Sequence, residues 1–169
     1  PIQFALEQAV FGAKGAREGI EAIHGRLVPD SLSVQVAGRL VKLDRRLMEH
    51  FLLLLMGALF YRHLGPAAAR GDKGFTAPVL ADYASRLPDG VLPERRKRRE
   101  YISSVLAKNE VARADPYNRQ LFVRTKRGHY VVNPGLKVKV GEEWQDYYAL
   151  FPPSDLGIPW DTQELDPRK

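Results

Sequence analysis

The run Phe51-Leu52-Leu53-Leu54-Leu55-Met56-Gly57-Ala58-Leu59-Phe60-Tyr61 leaves no polar position for solvent to occupy. A segment of this kind must be enclosed on all sides, by lipid or by the rest of the chain. A membrane span needs about 20 apolar residues, and this run is bounded by Glu49, His50, Arg62 and His63. It therefore predicts a central helix around which the other elements pack. Asp44 is a good N-cap residue for it. Leu47, Phe51, Leu54, Leu55 and Ala58 carry the helical spacing, and Gly65-Pro66 supplies a stop. With 44% hydrophobic residues in 169, the chain has enough apolar surface for a core without staples.

Local signals on either side set the companions of that helix. Leu32, Val34 and Val36 alternate with polar residues, Ala37-Gly38 offers a turn, and Arg39 to Leu43 returns, which predicts a hairpin. Thr76 is placed to cap a short helix through Leu87, with Pro78 in its first turn and Pro88-Asp89-Gly90 as its stop. Pro93 opens a third helix in which Tyr101, Ile102, Val105 and Leu106 share an apolar face. Leu121 to Arg124 and His129 to Val132 are β-rich runs joined by Thr125-Lys126-Arg127-Gly128, a second hairpin with a basic tip. Ile2 to Gly25 has helix-like spacing interrupted by glycines. Trp144, Tyr147, Tyr148 and Phe151 stand at i, i+3, i+4 and i+7, which predicts one aromatic face of a C-terminal helix.

The expected fold class is α+β: a leading β-hairpin, three helices and a C-terminal β-hairpin, the winged helix-turn-helix plan, with helical N- and C-terminal extensions. The expected division is a helical N-terminal extension over 1–30, a winged helix DNA-binding domain over 31–140, and an acidic aromatic C-terminal extension over 141–169.

Charge is distributed unevenly along this plan. Between Val91 and Lys139 there are thirteen Lys and Arg against four Asp and Glu, a surplus of nine in a chain whose net charge is +6. From Gly141 onward seven acids face two bases. A basic segment beside an acidic tail points to a polyanionic partner for one face only.

The stretch Gln120-Leu121-Phe122-Val123-Arg124-Thr125-Lys126-Arg127-Gly128-His129-Tyr130-Val131-Val132 resembles the wing "L-I-x-T-x-R-G-x-G-Y-x-L" of the DNA-binding effector domain of OmpR/PhoB-type response regulators. Ile102-Ser103 followed by Lys108 is similar to that family's recognition helix, Asp115-Pro116 to its loop before the wing, and Val34 to Leu43 to its entrance hairpin. The resemblance covers roughly Ser31 to Pro134. A fainter likeness, through Val132-Asn133-Pro134, is to the winged helices of plasmid replication initiators. The chain departs from the first family in carrying Leu106 and Ala107 where its recognition helix has Arg, and His129 where its wing has Gly.

The resemblance implies that the third helix enters a major groove and that Arg127, in "T-x-R-G", reaches a minor groove. The candidate DNA-binding residues are Arg95, Arg96, Lys97, Arg98, Arg99, Ser103, Lys108, Arg124, Lys126, Arg127 and His129. Arg pairs bidentately with guanine or with phosphate, and an Arg in a narrow minor groove reads shape. The bland alternative for Arg95 to Arg99 is a solvated face. Lys137 and Lys139 alternate with valines and fit an exposed strand face.

Trp144, Tyr147, Tyr148 and Phe151 are either core or candidate interface residues for a homodimer or another partner. The transcription or replication machinery is a further expected partner. No membrane, cofactor or metal is expected. Catalysis has little support. The chain has no cysteine, His24, His50, His63 and His129 do not form a metal-ligand spacing, and Ser103-Ser104 lacks the glycines of a nucleophile elbow. The sequence thus predicts a double-stranded DNA reader, most simply a cytoplasmic transcription regulator. The alternatives are a plasmid or phage replication initiator and a winged helix used as a protein-interaction module.

Overall fold

A computed structural model describes residues 31–59 and 74–150. The expected N-terminal helix, the end of the central helix and the tail from Phe151 onward lie outside the described residues.

The first two strands, β1 (Ser31–Val36) and β2 (Arg39–Asp44), pair antiparallel with Val36 opposite Arg39. The turn between them has positive φ at both positions, 49° at Ala37 and 77° at Gly38. That is the type I′ geometry whose twist matches a two-residue hairpin. Asp44 does not cap a helix directly. Its carbonyl and carboxylate accept from Leu47 N–H and Arg46 N–H, which turns the chain into α1 (Met48–Leu59). Met48, Phe51, Leu52, Leu53, Leu55, Met56 and Leu59 are all buried, so α1 is enclosed on nearly every side as its composition requires. It packs against β2, a later strand and a later helix.

The second described segment begins with the two-residue strand β3 (Phe75–Thr76), followed by α2 (Ala77–Ser85). Thr76 is the N-cap, its hydroxyl accepting from Val79 N–H at 3.4 Å, with Pro78 in the first turn. Then come the single turn α3 (Glu94–Lys97) and α4 (Arg99–Lys108), so the expected third helix is broken at Arg98. Strands β4 (Phe122–Lys126), β5 (His129–Val132), β6 (Lys137–Val140) and β7 (Glu143–Asp146) follow, and a 3₁₀ turn spans Tyr147–Leu150.

These strands form two antiparallel sheets, one ordered β2-β1-β6-β7 and one ordered β3-β5-β4. The molecule is thus mixed α+β, with a sheet that joins the first hairpin to the last one. Val34 pairs with Val138 across β1 and β6, both buried. Alternation then sends Leu40, Lys42, Ser33, Gln35, Lys137 and Lys139 to the other face of that sheet.

The expected C-terminal aromatic helix is overturned. Trp144 lies in β7, opposite Lys139, and not on a helix. The Gly141-Glu142 turn, with Gly141 at φ +63°, folds β7 back on β6, and pairing with that strand overrides the helical spacing of the aromatics. The hairpin β6–β7 therefore crosses the expected boundary at 140/141. Tyr147 and Tyr148 are buried and bond across the core, Tyr147 Oη to Leu53 carbonyl at 2.5 Å and Tyr148 Oη to Val132 carbonyl at 2.6 Å. They pack edge to face with centroids 5.2 Å apart. Neither offers an interface surface, and Phe151 lies outside the described residues.

Candidate nucleic-acid interface

The basic run is sorted by one buried lysine. Between α2 and α3 the chain turns on Pro88, whose carbonyl accepts from Val91 N–H and Leu92 N–H, and Leu87 and Leu92 are buried there. Lys97 reaches back into this turn. Its Nζ donates to Leu87 carbonyl at 2.7 Å and to Asp89 Oδ1 at 2.6 Å, and Glu94 Oε2 lies 3.5 Å away. Lys97 is 7% exposed. A side chain already saturated in this way is not offered to a ligand, so Lys97 leaves the expected contact set.

Arg98, next in line, is extended at φ −68° and ψ 137°, and this break ends α3 and starts α4. Arg95, Arg98 and Arg99 are exposed. Arg95 and Arg98 have no side-chain hydrogen bond or ion pair among the described residues. Arg99 pairs with Glu100 at 3.2 Å. Glu100 sits in the first turn of α4, where its own backbone N–H, then Arg99, holds its carboxyl below the usual range. Arg96 is half-buried and donates to Arg46 carbonyl, so it bridges to the approach to α1.

Helix α4 buries Ile102 and Leu106 and turns Glu100, Ser103, Ser104 and Lys108 to solvent. Tyr101 was expected on the apolar face and is 39% exposed. It lies about 100° around the axis from Ile102, at the rim of the buried stripe.

From the end of α4 to β4 the backbone is held by asparagines that sequence reading did not single out. Asn109, 2% exposed, donates to Val105 carbonyl and Glu49 Oε1 and accepts from Arg119 N–H. Arg119 closes the set with a 2.8 Å ion pair to Glu49. Asn118 donates to the carbonyls of Glu110 and Arg113 and accepts from Gln120 N–H at 2.7 Å. Gln120 carries φ +56°, a left-handed conformation disfavoured for a side-chain-bearing residue. That bond, and Asn133 Nδ2 on the Gln120 carbonyl at 2.8 Å, hold it there. Asp115-Pro116 and Asn133-Pro134 stood out in the sequence only through the two resemblances. The long-range acceptors did not stand out.

The β4–β5 hairpin has Arg127-Gly128 at its tip, with Gly128 at φ +76° and the register shifted between Arg124 and Lys126. Arg124, Lys126 and Arg127 are exposed, and Arg124 and Arg127 have no side-chain partner among the described residues. His129 is half-buried, with Nδ1 3.1 Å from Arg127 carbonyl. Gly74 lies against this hairpin: a Cβ there would stand 2.9 Å from Thr125 Oγ1, 3.0 Å from His129 Cβ and 3.1 Å from Tyr130 N. The hairpin is thereby fastened through β3 to the start of α2.

The structure thus divides the expected residues. Arg95, Arg98, Arg99, Ser103 and Lys108 are on the surface of α3–α4, and Arg124, Lys126 and Arg127 are on the surface of the hairpin. Lys97 is internal and Arg96 is engaged. Among the described residues no cluster of three or more metal-ligating side chains occurs, and no helix is long and apolar enough to cross a membrane. Comparison with protein-family models, with curated proteins and with solved structures finds no match for this chain.

Proposed function

We propose that the chain is a winged-helix module that binds double-stranded DNA and regulates transcription. The order α1, β3, α2, α3–α4, β4, β5, with β3 on the outer side of β5, is the order that such a module requires. In this reading α4 is the recognition helix and the β4–β5 tip is the wing. The observation that carries the reading is that Arg95, Arg98 and Arg127 are held on ordered elements and make no side-chain hydrogen bond or ion pair among the described residues. Unpaired guanidiniums at a helix start and a hairpin tip are suited to phosphates and groove edges. Arg99, Ser103, Lys108 and Lys126 extend the same contact set.

The test is binding to duplex DNA selected from a random pool, followed by affinity against salt. Each phosphate neutralised contributes about 0.9 to the slope of log K against log salt. Arg98→Ala is expected to reduce that slope by about one and to change the selected sequence if Arg98 also meets a base edge. Arg127→Ala is expected to weaken binding most where the site is flanked by A·T-rich sequence. A chain that retains no affinity for any duplex at about 150 mM salt, or whose binding ignores both substitutions, is not a DNA reader of this kind.

A further inference from the structure

The outer edge of β4 opens onto a groove that the DNA reading does not use. The groove has a volume of about 590 Å³ and runs between the β1–β2 turn, the turn after α4 and the base of the β4–β5 hairpin. Val36, Val111, Val123 and Pro134 give it an apolar lining, with Glu110 and Arg124 as its charged residues. The Glu110 carboxylate accepts from Ala112 N–H at 3.2 Å, whereas the Arg124 guanidinium has no partner among the described residues.

The backbone of this edge follows from the register. Asn133 N–H donates to Leu121 carbonyl, so Leu121 and, two residues on, Val123 turn their backbone groups toward β5. Phe122 and Arg124 turn theirs the other way. Those of Phe122 are taken: its N–H donates to Asn109 carbonyl and its carbonyl accepts from Val111 N–H, a short parallel bridge. The chain then leaves the edge, with Arg113 N–H closing a turn on Glu110 carbonyl. The next position along the edge, Arg124, has no neighbouring strand on that side among the described residues. An unpaired strand edge beside an apolar slot is a template for a further strand.

We propose that this groove takes an extended peptide of a partner protein, added as a strand along β4. The peptide pairs its backbone with Arg124, lays an aliphatic side chain on Val36, Val111, Val123 and Pro134, and sets a carboxylate against the Arg124 guanidinium. The occupant is acidic because, of the two charged groups lining the groove, the one without a partner among the described residues is a cation. Arg124 is thereby assigned to a protein partner instead of to DNA phosphate.

The test uses the whole chain and a fluorescein-labelled peptide of about eight residues in which valine alternates with glutamate, long enough to span a strand. Controls replace every glutamate by lysine, or methylate alternate backbone nitrogens. The acidic peptide is expected to bind, with slowed hydrogen exchange at the Arg124 amide. Arg124→Glu, and Ala112→Phe at the groove wall, are each expected to weaken it about tenfold or more, the scale of one lost charge-assisted contact. Both substitutions are at exposed positions, and unchanged thermal unfolding of each variant confirms that the fold is kept. Equal binding of the lysine peptide, indifference to backbone methylation or to Ala112→Phe, or no binding of the acidic peptide overturns the proposal. Displacement of the peptide from wild type by excess chain tail 151–169, supplied as a separate peptide, would also overturn it by making the occupant this chain's own segment.

Discussion

Lys97 separates two roles that a run of basic residues merges. Its ammonium is enclosed by Leu87 carbonyl and Asp89, and its stem is buried, so its contribution is to folding. Lys97→Ala is expected to lower stability by about 1–3 kcal/mol in urea unfolding, through lost charged hydrogen bonds and lost packing of the stem. Because Asp89 remains solvated, the cost stays below that of a stranded buried charge. At a temperature where the variant is folded, its salt slope for DNA is expected to equal that of the wild type, whereas Arg98→Ala shows the reverse pattern. A reduced slope for Lys97→Ala in the folded state would show that the ammonium leaves its site to bind. Nothing in Arg95-Arg96-Lys97-Arg98-Arg99 marks the middle residue as internal. The cue lies in Leu87 and Asp89, whose arrangement depends on the turn at Pro88.

At the scale of elements, local chemistry was readable and distant partners were not. The Ala37-Gly38 turn, the Thr76 cap and the Gly128 tip are each specified within a few residues, and each forms as expected. The two-residue strand β3 was invisible, since Phe75-Thr76 has no period and gains its pairing only from His129 and Tyr130. Its consequence is a test. Gly74→Ala is expected to destabilise by about 1–3 kcal/mol, because the new methyl meets backbone and Cβ atoms of β5 that cannot swing away, at φ +152°. Gly135→Ala is the control, with only Asn133 Oδ1 at 3.4 Å nearby. Chemical denaturation of both variants checks this, and equal stability would mean that β3 does not hold the hairpin. The candidate site was legible in its residue types and in which elements carry them. It was not legible in the break at Arg98 or in the asparagine network behind it.

Across the whole molecule, the C-terminal part is tied to the core through Val138 of β6 and through Tyr147 and Tyr148 after β7. Tyr147 and Leu53 are 94 positions apart and share a hydrogen bond, a contact no periodicity could announce. Burial raises the Tyr147 and Tyr148 hydroxyl pKa values well above the ordinary phenol value, so the folded state keeps both protons when the unfolded chain releases them. Their contribution is fully present below the unfolded pKa near 10 and declines as pH rises above it. The decline approaches about 2.7 kcal/mol per pH unit for the two groups together. Comparison of urea unfolding at pH 9 and 11 (values chosen on either side of ~10) with the Tyr147→Phe, Tyr148→Phe double variant isolates this effect. The double variant is expected to be less stable at the lower pH and to lose less on going to the higher one. The same dependence in both proteins would place the alkaline sensitivity elsewhere.

The pairing of Val34 with Val138 also sets a timetable. During synthesis the first hairpin leaves the ribosome long before β6 exists, and at about 5–20 residues per second the wait is on the order of 5–20 s. Through that interval the β6-facing edge of β1 is open in a nascent chain. Ser31, Ser33 and Gln35 give one face of the strand a polar character that disfavours sticking to other nascent chains. Pairing of β6 with β1 therefore has to wait until every element between them has been synthesised.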